Sequence, residues 1–172
     1  LNPHDDVAVR RVINVPPRGI GKGVMDALER VDASVTGDSS APLLAGLEQV
    51  EAANTLWAKI DHAVTHNTLS PRQLAPLAAF RDMLLGVTAA AATDPVSTVL
   101  GLLRDRSSYL RDLREERSEE ADGRIENLME LVSVARQFET AALDAGLAEF
   151  VDRLALLSDV DKPEGSRNAQ AL

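Results

Sequence analysis

The chain has 172 residues, of which 45% are apolar and 26% charged, and this composition suits one folded domain with a sizeable core. It contains no cysteine, which excludes disulfides, thiolate zinc sites and thiol nucleophiles. A net charge of −9 argues against a protein that coats nucleic acid over its whole surface. Neither a signal peptide nor an apolar run near ~20 residues is evident, so we expect a soluble cytoplasmic module.

Positive charge is concentrated at the N-terminal end. Residues 1–24 hold four basic and two acidic side chains, a net charge of +2, whereas the remainder of the chain carries −11. Any anion-binding site is therefore expected to be local and to lie in this first segment.

The first half of the chain has the helical period in nearly every patterned stretch. Asn2 and Pro3 predict the N-cap and first position of a helix, which the proline pair beginning at Pro16 ends. A glycine-containing loop then leads into a second helix, and the polar residues 34–40 predict a surface loop. Pro42 predicts the start of a third helix.

The second half continues the helical pattern. Ser70 and Gln73 predict a capping box for a helix in which Pro76 is expected to cause a bend or a delayed start. Asp94 and Pro95 predict a cap and first position for the next helix. The last two long helices are expected to bury Leu128, Leu131, Val132, Ala135, Phe138 and Ala142, then Leu147, Phe150, Val151, Leu154 and Leu157. No segment indicates a confident strand, so we predict an all-α, compact domain of about seven to nine helices.

The loop joining the first two helices has the features of a phosphate-binding element. Gly19 and Gly21 permit positive φ and leave backbone N–H groups uncovered, and the next helix starts with unpaired N–H groups at its positive end. Ile20 is expected to anchor the loop by packing inward, with Arg18 and Lys22 as flanking cations. Such a helix–hairpin–helix element binds the DNA backbone by shape and charge. A plain glycine-rich turn is the alternative.

Other chemistry has less support. The glycine spacing fits neither a Walker A motif nor a dinucleotide fingerprint. His62 and His66 have a spacing that zinc uses, but no third ligand is evident. The carboxylates at 115–122 alternate with arginines as on a solvated helix, where pairs such as Arg111 with Glu115 form. The five aromatic residues fall at or near apolar positions and are expected in the core, which disfavours single-strand binding by stacking.

The N-terminal stretch also resembles a known family. The sequence Asn-Pro-His-Asp-Asp-Val-Ala at 2–8, with Arg-Val-Ile-Asn-Val-Pro-Pro-Arg-Gly-Ile-Gly at 11–21, is similar to the start of the 2B subdomain of UvrD/PcrA/Rep-type superfamily 1 DNA helicases. Stretches at 108–113, 124–131 and 150–161 agree in the expected order, whereas 36–100 matches only in pattern. The Gly-Ile-Gly form is more like UvrD or PcrA than Rep.

The resemblance implies that residues 1–157 form a helical 2B-like domain excised from a longer helicase, and that residues 158–172 lead back to a RecA-like domain. It implies a non-catalytic module that contacts duplex DNA and regulates an ATP-dependent 3′–5′ helicase of repair or replication. No cofactor is expected in this fragment, which is predicted inactive alone, because ATP and Mg²⁺ would bind the parent helicase.

By the same analogy, duplex DNA is the expected partner of one set of residues. These are Arg11, Arg18, Gly19, Ile20, Gly21 and Lys22. Further implied partners are the RecA-like domains of the same helicase and proteins of repair or transcription, in the bacterial cytoplasm at the nucleoid, with no membrane. The acidic surface leaves an alternative, a protein-interaction or autoinhibitory module with little direct DNA binding.

Overall fold

Eight α-helices and no β-strand make up the described part of the chain. The computed structural model describes residues 5–32, 54–142 and 145–160, with side chains of the last range described through residue 156. The helices are α1 (Asp6–Val12), α2 (Lys22–Glu29), α3 (Leu56–His66), α4 (Pro71–Ala91), α5 (Val96–Ser107), α6 (Tyr109–Glu116), α7 (Glu119–Ala141) and α8 (Leu147–Val160). The prediction of an all-α fold is confirmed.

Some predicted features fall outside these ranges. The loop at 34–40 and the helix predicted from Pro42 lie outside the described residues, as do Asn2 and Pro3. Helix α8 continues to Val160, so residues 158–160 of the predicted tail are helical. The remaining tail residues, 161–172, are also outside the described part, and the domain boundary stays a prediction.

Helix α1 starts later than predicted. Its N-cap is Asp5, whose side chain accepts a hydrogen bond from the N–H of Ala8 at 2.9 Å, so the prediction of Asn2 as the cap is wrong. Asp6 follows in the first turn, where the positive end of the helix dipole stabilises its negative charge. Asp6 also accepts the N–H of Leu56 at 2.8 Å and thereby ties the start of α3 to α1.

Helix α4 begins where the capping box predicts. The side-chain oxygen of Gln73 accepts hydrogen bonds from the Ser70 N–H at 3.3 Å and from the Ser70 hydroxyl at 2.7 Å. Pro76 lies inside the helix, which nevertheless starts at Pro71, so the expected delay does not occur. One missing N–H in the second turn removes a single backbone bond, and the buried apolar face that follows holds the helix in place.

Helix α5 begins one residue later than the sequence predicts. Its N-cap is Pro95 and not Asp94, because Pro95 has an extended ψ of 146°. The cap function comes from a distant residue: Glu139 of α7 accepts the Ser97 N–H and also the Ser97 hydroxyl, the latter at 3.0 Å. A carboxylate at a helix N-terminus is favoured by the helix dipole, and here it joins α5 to α7.

The buried residues form two apolar clusters. The first cluster joins α1, the following loop, α2, α3 and α4, and contains Val9, Ile13, Ile20, Leu28, Leu56, Ile60, Ala63, Leu77, Phe80 and Leu84. The second cluster joins α5, α7 and α8, and contains Val96, Ala135, Phe138 and Phe150. Helix α5 packs against both α4 and α7, so it connects the two clusters. Val151, predicted to be buried, is 53% exposed, because α8 turns only its Phe150 face to the second cluster.

Within the described residues, α4 alone has the length and composition of a membrane span. Its most apolar 18-residue window has a mean hydropathy of 1.3. This is weak evidence, because the core helix of a folded domain passes the same test. Helix α4 buries Leu77, Phe80 and Leu84 in the first cluster and carries an ion pair between Arg81 and Asp82, so we assign it to the core.

Candidate nucleic-acid interface

The loop at 13–21 is held between two helices on a shared support. Both α1 and α2 pack against α3, and both contribute buried side chains to the first cluster. An ion pair of 3.2 Å between Arg10 and Glu29 joins α1 to α2 directly. The two helices and the loop that joins them are therefore fixed to one common helix, and the helix–hairpin–helix character of this element stays a prediction.

The glycines of the loop differ in their backbone geometry. Gly19 has φ +78°, in the left-handed region that favours glycine. Gly21 is the N-cap of α2 with extended backbone, so it does not use the positive φ that its sequence allows. A Cβ atom built at Gly19, Gly21 or Gly23 would meet nothing within 4 Å, so the space outside the loop is open.

Six consecutive backbone N–H groups, from residue 18 to residue 23, divide into two sets. The N–H groups of Arg18 and Ile20 donate to the side-chain oxygen of Asn14, at 2.8 and 3.3 Å. The other four, on Gly19, Gly21, Lys22 and Gly23, have no acceptor in the described ranges, and all four residues are exposed. Two of these belong to the first turn of α2, where the helix dipole is positive.

Ile20 anchors the loop as the sequence predicts. Its side chain is only 2% exposed and belongs to the first cluster. Ile20 therefore fixes the tip of the loop against the core. The DNA contact that the resemblance implies for Ile20 stays a prediction.

Arg18 does not flank the loop as a free cation, contrary to expectation. Its Nη1 atom lies within hydrogen-bond distance of four carbonyl oxygens, those of Val12, Ile13, Val15 and Pro16, at 2.9–3.3 Å. These carbonyls lie at and beyond the end of α1, where backbone acceptors lack helical partners and carry partial negative charge. The guanidinium also lies 5.5 Å above the Phe80 ring, in cation–π contact.

Burial lowers the pKa of Arg18 from its ordinary value, and the charge of Asp112 on α6 partly opposes this shift. The guanidinium stays protonated across the physiological range. Arg18 therefore serves as an inward-facing cap on the carboxyl end of α1.

Arg11 and Lys22 are the two predicted contact residues that remain outward cations. Both side chains are exposed, and neither has an ion-pair partner among the described residues. Lys22 occupies the first position of α2, beside the open N–H groups. Arg11 lies in the last turn of α1.

Known proteins match the chain along most of its length, although no protein-family model does. It is 29% identical to the ATP-dependent DNA helicase PcrA of Bacillus subtilis over 94% of this chain, and 31% identical to the ATP-dependent DNA helicase UvrD1 of Mycobacterium leprae over 99%. It is 29% identical to DNA helicase II of Haemophilus influenzae over 80%. The chain is homologous to one segment of UvrD/PcrA-type DNA helicases. It spans only 16–22% of the length of these three relatives.

Two other candidate sites lie among the described residues. The rings of His62 and His66 lie 4.4 Å apart, and the part of the chain that the structure describes holds no group of three side chains suited to a metal ion. The predicted pair between Arg111 and Glu115 is confirmed at 3.8 Å, on a surface where both side chains are largely exposed. Exposed pairs of this kind contribute little stability.

The aromatic residues of the chain occupy the positions that the sequence predicts. Phe80, Phe138 and Phe150 are buried, and Trp57 and Tyr109 are half-buried. None of the five offers a fully exposed ring on which a base would stack.

One residue that shapes the loop has no place in the sequence-based prediction. Asn14 was not singled out, yet its side chain binds two loop N–H groups. A signal exists, because an asparagine a few residues before a glycine turn commonly accepts hydrogen bonds from the backbone that follows. The opposing effect of Asp112 on Arg18, 94 positions away in the printed sequence, has no local signal.

Proposed function

We propose that this chain is the 2B subdomain of a UvrD/PcrA-type helicase and that it contacts the backbone of duplex DNA through its N-terminal loop. The observation that carries the proposal is a set of four N–H groups that have no acceptor among the described residues, at Gly19, Gly21, Lys22 and Gly23, two of them in the first turn of α2. They lie within residues 1–24, which carry a net charge of +2.

Phosphate oxygens accept hydrogen bonds from such N–H groups, and the positive end of α2 favours their charge. Lys22 and Arg11 add long-range attraction and release counterions from the duplex. Because these contacts are made with the sugar-phosphate backbone of DNA, binding is expected to be independent of base sequence. The net charge of −11 on residues 25–172 disfavours extensive DNA contact by the rest of the chain.

The role in the parent protein is the one that the resemblance to these helicases implies. The segment holds the duplex and regulates unwinding by an ATP-dependent 3′–5′ helicase of DNA repair or replication in the bacterial cytoplasm. ATP and Mg²⁺ bind elsewhere in that helicase, and the present residues supply no step of hydrolysis. The second partner of this segment is the pair of RecA-like domains of the same helicase.

A carboxylate at the loop is expected to weaken DNA binding. The Gly21→Asp variant folds, because a Cβ at this extended position meets nothing, but its charge repels the phosphate that the loop N–H groups attract. We expect the dissociation constant for a fluorescent duplex, measured by anisotropy at about 50 mM salt, to rise about tenfold.

Gly123→Asp is the matched control. It places the same side chain on α7, where a Cβ also has open space, and changes the net charge by the same amount. An affinity close to that of the wild type is expected for this variant. Equal weakening by both substitutions, or no weakening by Gly21→Asp, would contradict the loop as the contact and favour the protein-interaction alternative.

The salt dependence of binding is expected to identify the charged contacts. Lys22→Ala and Arg11→Ala each remove one exposed cation, so each is expected to reduce the slope of log K against log salt by about 0.9. Arg136→Ala removes an exposed cation from α7 and is expected to leave the slope unchanged. A slope that responds equally to all three variants would indicate a diffuse charge effect with no localised site.

A further inference from the structure

Asn14 connects the base of the loop to its tip. Its Oδ1 atom accepts hydrogen bonds from the N–H of Arg18 at 2.8 Å and from that of Ile20 at 3.3 Å. One half-buried side-chain atom therefore holds two backbone positions of a segment that has no regular structure. In the absence of Asn14 both N–H groups would need another acceptor.

The two bound N–H groups alternate with open ones along the chain. Arg18 and Ile20 point their N–H groups to Asn14, whereas Gly19 and Gly21 have no acceptor in the described ranges. When alternate N–H groups are held on the inner side of a loop, the intervening groups are left for the outer side. Asn14 thus determines which N–H groups face solvent.

Arg18 holds the carbonyl groups of the same segment. Its Nη1 lies 2.9–3.3 Å from four carbonyl oxygens between residues 12 and 16, and its guanidinium rests on Phe80 of α4. Asn14 accepts from the donors of the loop, and Arg18 donates to its acceptors. Between them, the two side chains bind two N–H groups and lie within hydrogen-bond distance of four carbonyl groups in the segment from residue 12 to residue 20.

We infer that Asn14 and Arg18 are positioning residues that preorganise the phosphate-contacting loop, and that neither touches DNA. The expected effect on DNA affinity rests on the proposed function, whereas the expected effect on the loop does not. Preorganisation matters because a loop that must be ordered on binding loses affinity in proportion to the ordering.

The test combines amide hydrogen exchange of the free protein with DNA titrations. In Asn14→Ala, exchange at the N–H groups of Arg18 and Ile20 is expected to accelerate about tenfold, because their acceptor is gone. The dissociation constant for duplex DNA is expected to rise about fivefold to tenfold, with an unchanged salt slope, because no charge is lost. Asn127→Ala, at an exposed position of α7, is the matched control and is expected to change neither quantity.

Two further variants separate the possible roles. Asn14→Asp retains an oxygen acceptor, so exchange protection at Arg18 and Ile20 is expected to return. Arg18→Lys keeps the charge but loses the planar guanidinium, so its affinity is expected to fall about as far as that of Asn14→Ala. Arg18→Ala is expected to leave the salt slope unchanged, in contrast to Lys22→Ala.

The salt slope tests the role of Arg18, and the exchange rates test the role of Asn14. A slope reduced by about 0.9 in Arg18→Ala would show that Arg18 contacts a phosphate and would overturn its positioning role. Normal exchange protection in Asn14→Ala would overturn the role of Asn14 even if DNA binding were intact. A wild-type protein that does not bind duplex DNA would refute the proposed function, while the exchange rates would still report whether Asn14 holds the loop.

Discussion

Replacement of Phe80 by alanine is expected to lower the free energy of unfolding by about 3–5 kcal/mol. Phe80 is 1% exposed in the first cluster, and its ring supports the guanidinium of Arg18. The residue also lines an apolar cavity of about 490 Å³ between the loop and helices α4 to α7. Removal of the ring enlarges this existing space, so little collapse is available to offset the loss.

Urea unfolding followed by circular dichroism measures the effect. The midpoint is expected to fall at an unchanged slope of free energy against urea, because the native and unfolded states keep their compactness. Leu85→Ala is the control on the same helix: Leu85 is 48% exposed, and its truncation is expected to cost less than about 1 kcal/mol. Equal shifts for the two variants would contradict the burial difference on which the prediction depends.

The helical architecture was accessible from the sequence because each helix buries one face. In α7, Ala135 and Phe138 are buried while Glu130 and Gln137 are exposed, which is the period that the apolar residues indicate. Val151 is the exception, since a pattern of apolar residues cannot say which of two adjacent positions has a neighbouring helix to pack against.

The start of α4 is predictable from the sequence because its cap is local. Ser70 and Gln73 are three residues apart, so their interaction is visible in the sequence. The start of α5 depends on Glu139, 42 residues from Ser97, and no local rule finds such a partner. The sequence rule therefore assigned the cap to Asp94, the nearest suitable side chain.

The candidate loop shows the same division between local and long-range information. Glycine positions and the burial of Ile20 follow from the loop sequence itself. The orientation of Arg18 depends on carbonyls at the end of α1 and on Phe80, 62 positions away in the printed sequence, so counting charges overstates the free cations at the loop. The proposed attraction of DNA therefore rests on the charges of Arg11 and Lys22, whereas Arg18 is assigned a structural role.

Replacement of Phe150 by alanine is the second change expected to cost about 3–5 kcal/mol. Phe150 is 1% exposed and its ring centroid lies 5.3 Å from that of Phe138, in a tilted arrangement that adds stabilisation to the buried area. Val151→Ala is the neighbouring control on α8, where a side chain that is 53% exposed is expected to matter by less than about 1 kcal/mol.

The same variant tests whether the two clusters unfold together. Trp57 is the single tryptophan of the chain and packs against the first cluster, whereas Phe150 lies in the second. Because α5 packs against both α4 and α7, we expect one cooperative transition, in which Phe150→Ala shifts Trp57 fluorescence and circular dichroism to the same lower urea midpoint. A Trp57 transition that stays at the wild-type midpoint while circular dichroism shifts would show that the second cluster unfolds by itself, leaving the loop and its support folded.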